Sequence, residues 1–388
     1  MNAQTRVRAA QPARLVTLGR RGVIGAAAAA CLVPDAHAAK PLRLTVCGQA
    51  LIQHDLRARP WPDFARIAAM FRRADVTLTD LETAIDGPGA GPPTRQGVFT
   101  HTAGPEVLDC LKALHVTMLA HANNHAFDLN TGGIVAALAA MDARGFVHAG
   151  TGRDLIAASA PAYQRTPAGT VALVAVASGQ IRDGGAATAT RPGVNEAHRI
   201  PGDGPASGLD EADVARVLAS IGEATRHAEL VIMYHHNHLP GPEPARPPAW
   251  QQAFAHRCID AGAAMFVSHG EPLMFGVELY RGQPIFYDLG SLMFQTATED
   301  GHYGAATWQS VIAECRFDGA RFRGATLTPV QMNAVGVGGA LDLATRGRPS
   351  IATGEDAAAI LALLGGLSRP FGTRLRAGIK AGTGEIVV

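Results

Sequence analysis

The sequence predicts an α/β fold with mixed β-sheets flanked by helices. From residue 42 onward, short apolar runs typical of buried strands alternate with helical patterns, which indicates a largely parallel sheet. Two later segments, 277–290 and 311–330, have the pattern of β-hairpins, which add antiparallel strands. The 388 residues are 47% hydrophobic, which is sufficient for a large core in one or two domains.

Periodicity and end signals support the elements of the first half. In the first helix, Phe64, Ile67 and Phe71 recur on one face. Pro105 stands in the first turn of the second helix, where its missing N–H is tolerated, and Gly145 follows the third. The predicted strands are 42–48, 75–80, 116–120 and 146–150, and the predicted helices are 61–74, 105–115 and 131–144.

The second half repeats the alternation around a long loop predicted at 179–208. The valine-rich run at 170–178 favours a strand, because β-branched side chains fit a pleated surface. The first hairpin is expected to turn at Arg281 and Gly282. The remaining predicted strands are 229–234 and 263–268, and the remaining predicted helices are 209–227, 250–261 and 356–367.

The first 38 residues are interpreted as a signal peptide. Basic residues run up to an arginine pair at 20–21, an alanine-rich apolar stretch spans 23–33, and Ala-His-Ala at 36–38 fits a cleavage site. The arginine pair is compatible with twin-arginine export, and a general secretory signal is an equal alternative. We therefore expect an exported protein of the periplasm or cell envelope. No later apolar run reaches the ~20 residues that a membrane span needs.

The charge balance and the histidine content limit the classes of function that the sequence predicts. The 34 Lys+Arg and 33 Asp+Glu residues nearly balance, so no nucleic-acid partner is predicted. The 15 histidines favour metal binding or proton transfer. The cysteines after residue 38 contain no C-x-x-C pair, so a zinc ribbon is not indicated, and the disulfide pairing of Cys47, Cys110, Cys258 and Cys315 stays open.

Polar clusters follow five of the predicted strands. Because the carboxyl ends of parallel strands meet at one edge of a sheet, these clusters are expected to lie together. Imidazole and carboxylate ligands suit Zn, Mn or Fe, so the edge is a candidate site for a divalent transition metal. Each cluster alone is equally compatible with a polar turn, and only their conjunction indicates a site. The clusters are Gln49, 80–82, 123–125, His235 and His269.

The order of these clusters resembles the CapA family, whose members are linked to poly-γ-glutamate capsule synthesis and have a calcineurin-like metallophosphatase fold. The matching segments are 46–52, 74–85, 122–133, 148–152, 231–236 and 266–294. The resemblance implies a metallophosphatase-like α/β sandwich. Together with the residue patterns, this divides the chain into a signal peptide at 1–38, a family domain at 39–335 and a C-terminal extension with one helix at 336–388.

The resemblance implies a role for each matching residue. The expected ligands of one divalent metal ion per chain (Zn, Mn or Fe) are Glu82, Asn124, His235 and His269. His125, assisted by Asp128, is expected to act as the catalytic acid or to stabilise the transition state. Gln49 and Pro272 replace an aspartate and a histidine that would bind a first metal, so that position is expected to be degraded. His54 and Asp55 are the candidates to restore it.

The expected function is metal-dependent hydrolysis of a phosphoester or a γ-glutamyl polymer in capsule biosynthesis, with other capsule-synthesis proteins as candidate partners. The alternative is a non-catalytic protein that binds or exports an anionic capsular polymer. Arg95 and Arg246, in Gly/Pro-rich loops, are weak candidates for binding the anionic substrate. Each is also compatible with a solvated surface charge.

Overall fold

The computed structural model describes residues 40–97, 100–200, 208–239, 241, 243 and 245–388. The predicted signal peptide therefore lies outside the described residues. The helices are α1 (Phe64–Phe71), α2 (Glu106–Ala113), α3 (Asn130–Ala143), α4 (Leu155–Ser159), α5 (Glu211–Ala224), α6 (Ala249–Asp260) and α7 (Gly354–Ser368).

Most strands belong to two mixed sheets, and short pairs lie outside them. In chain order the strands are β1 (Leu42–Leu51), β2 (Val76–Leu81), β3 (Ala84–Ile85), β4 (Thr102–Ala103), β5 (Met118–Ala120), β6 (Val147–Ala149), β7 (Thr151–Gly152), β8 (Ala162–Thr166), β9 (Gly169–Ser178), β10 (Gly193–Val194), β11 (Arg199–Ile200), β12 (Gly208–Leu209), β13 (Leu230–Asn237), β14 (Met265–His269), β15 (Val277–Tyr280), β16 (Gln283–Phe286), β17 (Ser291–Phe294), β18 (Gln309–Asp318), β19 (Arg321–Met332), β20 (Pro349–Ile351), β21 (Leu375–Ala377) and β22 (Gly384–Ile386).

Ten of the described strands form the larger sheet, in the order β21-β22-β19-β18-β1-β2-β5-β6 with β17 beside β1 and β20 beside β19. The strands β1, β2, β5 and β6 run parallel, and β18 and β19 form the predicted antiparallel hairpin. The second sheet has the order β15-β16-β14-β13-β9-β8, with β9, β13, β14 and β16 parallel. The predicted α/β sandwich with mixed sheets is confirmed.

The central strands β9, β13 and β14 of the second sheet are buried on both faces, and alternate residues of β13 enter different cores. Ile232 and Tyr234 belong to the main core, which also contains residues of the larger sheet. Val231 and Met233 belong to a second core formed with α5 and α6. Side chains alternate across a strand, so the even-numbered residues of β13 face the main core and the odd-numbered residues face the second core.

The described structure extends some predicted elements and contains others that were not predicted. β13 continues to Asn237, three residues beyond the predicted end, and so carries two histidines inside the sheet. The region 151–169 contains α4 and β8, which no clear pattern indicated. The predicted loop at 179–208 contains short strands, although 201–207 are outside the described residues.

The C-terminal residues are attached to the larger sheet. β20 and β22 both pair with β19, and α7 follows β20. The cysteines Cys47, Cys110, Cys258 and Cys315 are buried free thiols. None of the helices in the described part of the chain has the length and apolar character that a membrane crossing requires.

Candidate metal centre

The carboxyl ends of parallel strands from both sheets meet at one edge. In the larger sheet, Gln49 of β1 is paired with Asp80 of β2, and Asp80 is paired with the last residue of β5. In the second sheet, His236 of β13 is paired with His269 of β14. The predicted convergence of the polar clusters is therefore confirmed for these segments.

The turn after β5 explains the two asparagines of the 121–133 segment. Asn123 donates through Nδ2 to Asp80 Oδ1 (2.9 Å) and to the carbonyl of Leu81 (2.7 Å). Its Oδ1 accepts the backbone N–H groups of His125 (3.1 Å) and Ala126 (2.8 Å). Asn123 thus ties the turn to β2, a role typical of asparagine in polar turns. Asn124 is left free to face the site.

The Glu82 carboxylate lies at the centre of the cluster. Its Oε1 is 3.6 Å from His236 Nε2, 3.9 Å from His238 Nε2 and 3.9 Å from His125 Nε2. Its Oε2 is 3.9 Å from His269 Nε2. Glu82 is only 3% exposed, and Oε2 has no hydrogen-bond partner among the described residues. A buried carboxylate oxygen without a partner is costly, so a ligand is needed there.

His236 has the arrangement of a metal-binding imidazole. Its Nδ1 is 2.9 Å from Asp80 Oδ2, and its Nε2 is 2.9 Å from Asn124 Oδ1. When Asp80 accepts the Nδ1 proton, the Nε2 lone pair faces the amide oxygen of Asn124. Two acceptor atoms this close require a cation between them or a proton on one of them. A carboxylate that orients an imidazole in this way is common at metal sites.

His269 is held in the same manner from the other side. Its Nδ1 lies 2.8 Å from Asp288 Oδ1, while its buried Nε2 has no partner in the described structure. Burial opposes its charged form, but the Asp288 and Glu82 carboxylates outweigh that effect and raise the pKa of His269 to about 9. His269 Nε2 lies 3.9 Å from Glu82 Oε2, the oxygen that has no partner in the described structure.

The residues present fit a divalent transition metal. Ligand atoms of Glu82, His236 and His238 all lie within 4.8 Å of one another. Burial raises the pKa of Asp80 to about 7 and of Asp288 to about 6, and raises the pKa of Glu82 well above its usual range. Buried acids of this kind are stabilised in their charged form by a bound cation.

His125 lies beside this cluster and is held by a separate pair of residues. Its Nδ1 is 2.8 Å from Asp128 Oδ2, and Arg95 Nε donates to Asp128 Oδ1 (2.8 Å). Burial is the main reason that the pKa of His125 lies well below its usual value. The positive charges of Arg95, of neighbouring histidines and of Arg182 lower this pKa further. The imidazole is therefore neutral, and the Asp128 contact leaves its Nε2 able to exchange a proton.

The site opens into a cleft of about 450 Å³. One part of its wall is apolar and contains Leu51, Phe294 and Tyr303, which belong to one hydrophobic cluster. Another part contains Arg95, Gln180 and Arg182. The residues of the candidate site that line the cleft are Gln49, Glu82, Asn124, His125 and His238.

The prediction for His235 is wrong. The continued strand places its side chain in the second core, where the ring centroid is 5.2 Å from that of Phe254 and Nε2 is 3.0 Å from Ser178 Oγ. The next residue, His236, points into the main core and reaches Asn124 instead. Alternation along β13 is the physical reason, since neighbouring side chains face opposite sides.

The predictions for the two arginines need correction. Arg95 is neither a solvated charge nor free to bind substrate, because it is 8% exposed and bonds Asp128 and main-chain carbonyls. Arg246 is exposed and pairs with Glu243, and it lines a separate cavity of about 330 Å³. The geometry does not favour either residue as a substrate anchor.

At the position of the predicted first metal, the side chain of Gln49 is bound to another residue of the chain. Gln49 Nε2 donates to Ser291 Oγ (3.0 Å), and these two residues face each other in the β1–β17 register. His54 does not restore the position, because it is exposed and is absent from the residues that line the cleft. Pro272 lies on the cleft wall, where it offers no side-chain ligand.

Sequence reasoning missed four residues of the site. His236 and His238 belong to the HHNH run, and a strand continued through it would have placed both on the same face. Asp288 lies within the predicted hairpin at 277–290, and in the structure it follows β16. His101 carried no signal, yet its ring centroid lies 4.1 Å from that of His125 and its backbone N–H donates to Asp128.

The chain is similar in sequence to several known proteins. Residues 43–296 match a family model described as "Bacterial capsule synthesis protein PGA_cap". An uncharacterised protein, y4sH, of Sinorhizobium fredii is 28% identical over 86% of this chain and 90% of its own length. A "Probable polyglutamine synthesis accessory protein" of Mycobacterium tuberculosis is 31% identical over 62% of each chain.

Two further similarities complete the comparison. The "PGA biosynthesis protein CapA" of Bacillus subtilis is 28% identical over 61% of this chain and 58% of its own length. The crystal structure of a hypothetical protein from Thermus thermophilus aligns with a TM-score of 0.44 at 15% identity, covering 75% of this chain and 99% of that one.

Proposed function

Because the chain belongs to the bacterial capsule synthesis family PGA_cap, the CapA family of the metallophosphatase-like superfamily, we propose that it is a metal-dependent hydrolase of the cell envelope. Its substrate would be a phosphoester or a γ-glutamyl polymer made during capsule biosynthesis. The N-terminal signal pattern supports export, and other capsule-synthesis proteins are candidate partners. Family membership supplies the biological setting, and the site supplies the chemistry.

One observation carries the proposal. A neutral histidine, His125, is held by Asp128 and presents its Nε2 3.9 Å from the carboxylate of Glu82, at the wall of an open cleft. A proton-transfer group next to a candidate metal ligand is the arrangement that metal-assisted hydrolysis requires. A protein that only bound a polymer would not need it.

We assign the metal to the residues that converge on Glu82. Glu82, His236 and His238 would hold one divalent Zn, Mn or Fe ion, with Asn124 and His269 completing its surroundings. When bound, such an ion supplies Lewis-acid polarisation of a phosphoryl or carbonyl oxygen. Asp80 and Asp288 would orient His236 and His269 through their Nδ1 atoms.

His125 would move the proton. Burial disfavours its charged form, so an imidazolium formed there readily gives its Nε2 proton to a leaving group. Asp128 accepts the Nδ1–H bond and stabilises the transient positive charge. Arg95 acts as a positioning residue, because it fixes Asp128 and the backbone of Asn124.

Chelation tests the proposal directly. We expect dialysis of the purified chain against a chelator to abolish hydrolysis of an aryl phosphoester or a γ-glutamyl oligomer, because the Lewis acid is lost. Addition of Zn, Mn or Fe should restore it. Hydrolysis that persists without metal would contradict the assignment. If the protein takes up no metal under any loading condition, the alternative of a non-catalytic protein that binds or exports an anionic polymer is favoured.

The one-ion assignment makes a separate prediction. Gln49 and Pro272 line the cleft with Glu82, at the place where the family resemblance implies another ion. We expect the double variant Gln49→Asp, Pro272→His to raise the metal content from one toward two ions per chain, because a carboxylate and an imidazole replace groups that bind poorly. Elemental analysis measures this, with Gln252→Asp, at a half-buried position of α6 off the cleft wall, as the control. An unchanged content would refute the prediction.

A further inference from the structure

The cleft wall contains two arginines that differ in how their charge is used. The Arg95 guanidinium is committed to Asp128 and to the carbonyls of Asn124 and Gln180, each at 2.8 Å. Arg182 is exposed, and its side chain forms no ion pair or hydrogen bond with any residue that the structure describes. Its charge is therefore available to a ligand in the cleft.

The backbone that carries Arg182 is held in place. The carbonyl of Gln180 accepts the Arg95 hydrogen bond (2.8 Å), and Gln180 itself has a left-handed φ of 55°. The N–H of Gly185 donates to the carbonyl of Arg182 (2.7 Å), which closes a turn. The guanidinium thus projects from a turn that is fixed to the His125 and Asp128 network.

The charges of the site do not need Arg182. Asp128 already pairs with Arg95, and Asp288 already pairs with His269. Arg182 and His125 nevertheless line the same cleft. An unpaired guanidinium near the proton-transfer group, outside the buried network, is suited to bind a charged group of the substrate.

We propose that Arg182 binds the anionic group, a carboxylate or a phosphate, of the ligand that enters the cleft, and thereby selects anionic substrates. This inference rests on the proposed function, in which the bound ligand reacts beside His125. Binding of the anion to Arg182 does not itself require turnover. The planar guanidinium matches both anions through paired N–H donors. Arg182 therefore takes the substrate-binding role for which Arg95 and Arg246 were the sequence candidates.

Calorimetric titration of the purified full chain tests this. Inorganic phosphate and glutarate are the probes, and Arg182→Gln is compared with Arg165→Gln, which removes the same charge from an exposed position on β8. We expect the Kd for at least one probe to rise about tenfold in Arg182→Gln, because a hydrogen bond to a charged group is lost. Arg165→Gln should bind as the original chain does, and both variants should keep their metal.

The two probes separate the sources of the anion. Weakening confined to phosphate identifies a phosphoester-type ligand, and weakening confined to glutarate identifies a carboxylate-bearing one. The proposal is overturned if Arg182→Gln binds both probes as the original chain does, if Arg165→Gln is weakened equally, if metal is lost with the arginine, or if the original chain binds neither probe at millimolar concentration.

Failure of this inference can be told apart from failure of the proposed function. If no substrate is hydrolysed but anion binding depends on Arg182, the hydrolase proposal fails and the binding role stands. If hydrolysis depends on metal and His125 but anion binding is independent of Arg182, only the role of Arg182 is lost.

Discussion

Replacement of His236 by alanine is expected to remove bound metal, whereas replacement of its neighbour His235 is expected to leave the metal in place. His236 Nε2 lies 3.6 Å from Glu82 Oε1 and 2.9 Å from Asn124 Oδ1. Loss of a group that merely orients a ligand costs about 10–100-fold in metal affinity, and loss of a direct ligand should cost more. Competition with a chelating dye measures the affinity of each variant.

His235→Ala is the matched control, since it removes the same side chain from the opposite face of β13. Its ring is fully buried beside Trp250, Phe254 and Phe266. We expect its removal to lower the free energy of unfolding by roughly 1–3 kcal/mol, as for other losses of buried packing, without loss of metal. Thermal unfolding measures this. Metal loss in His235→Ala with retention in His236→Ala would reverse the assignment of the two histidines.

Replacement of His125 by alanine is expected to abolish turnover while the metal stays bound. His125 faces Glu82 at 3.9 Å but is tied through Nδ1 to Asp128, outside the group of converging ligand atoms. Proton transfer by a positioned side chain contributes about 10²–10⁴-fold to a rate, so kcat should fall by that factor. Steady-state kinetics and elemental analysis of the same preparation measure the two quantities.

Two variants make the His125 test specific. Asp128→Asn should also lower kcat with metal retained, because the amide no longer stabilises the charged imidazole. His54→Ala should change neither turnover nor metal content, because that histidine is exposed and lies off the cleft wall. Normal turnover in His125→Ala would remove this residue from the chemistry, and simultaneous loss of metal would make it a ligand instead.

Much of the architecture could be predicted because local patterns repeat in a consistent order. Apolar runs ending in polar clusters predicted β1, β2, β5, β13 and β14, and all five are parallel strands with their carboxyl ends at the site. The hairpin turn at Arg281 and Gly282 was predicted from the strand-like runs on either side of a glycine. In the structure both residues have the left-handed φ that a two-residue hairpin loop needs. The α4 and β8 region was missed because its sequence lacks clear periodicity.

The sequence by itself determined the chemical types at the site, namely a glutamate, an asparagine and several histidines at strand ends. It also determined where the family pattern is broken, at Gln49 and Pro272. Only the tertiary structure decided which histidines of 235–238 face Glu82. The side of the sheet that each side chain faces depends on how far β13 continues, and this strand continues to Asn237. The burial of Arg95, the exposure of Arg182 and the Gln49–Ser291 hydrogen bond likewise depend on residues distant in sequence, which no local pattern records.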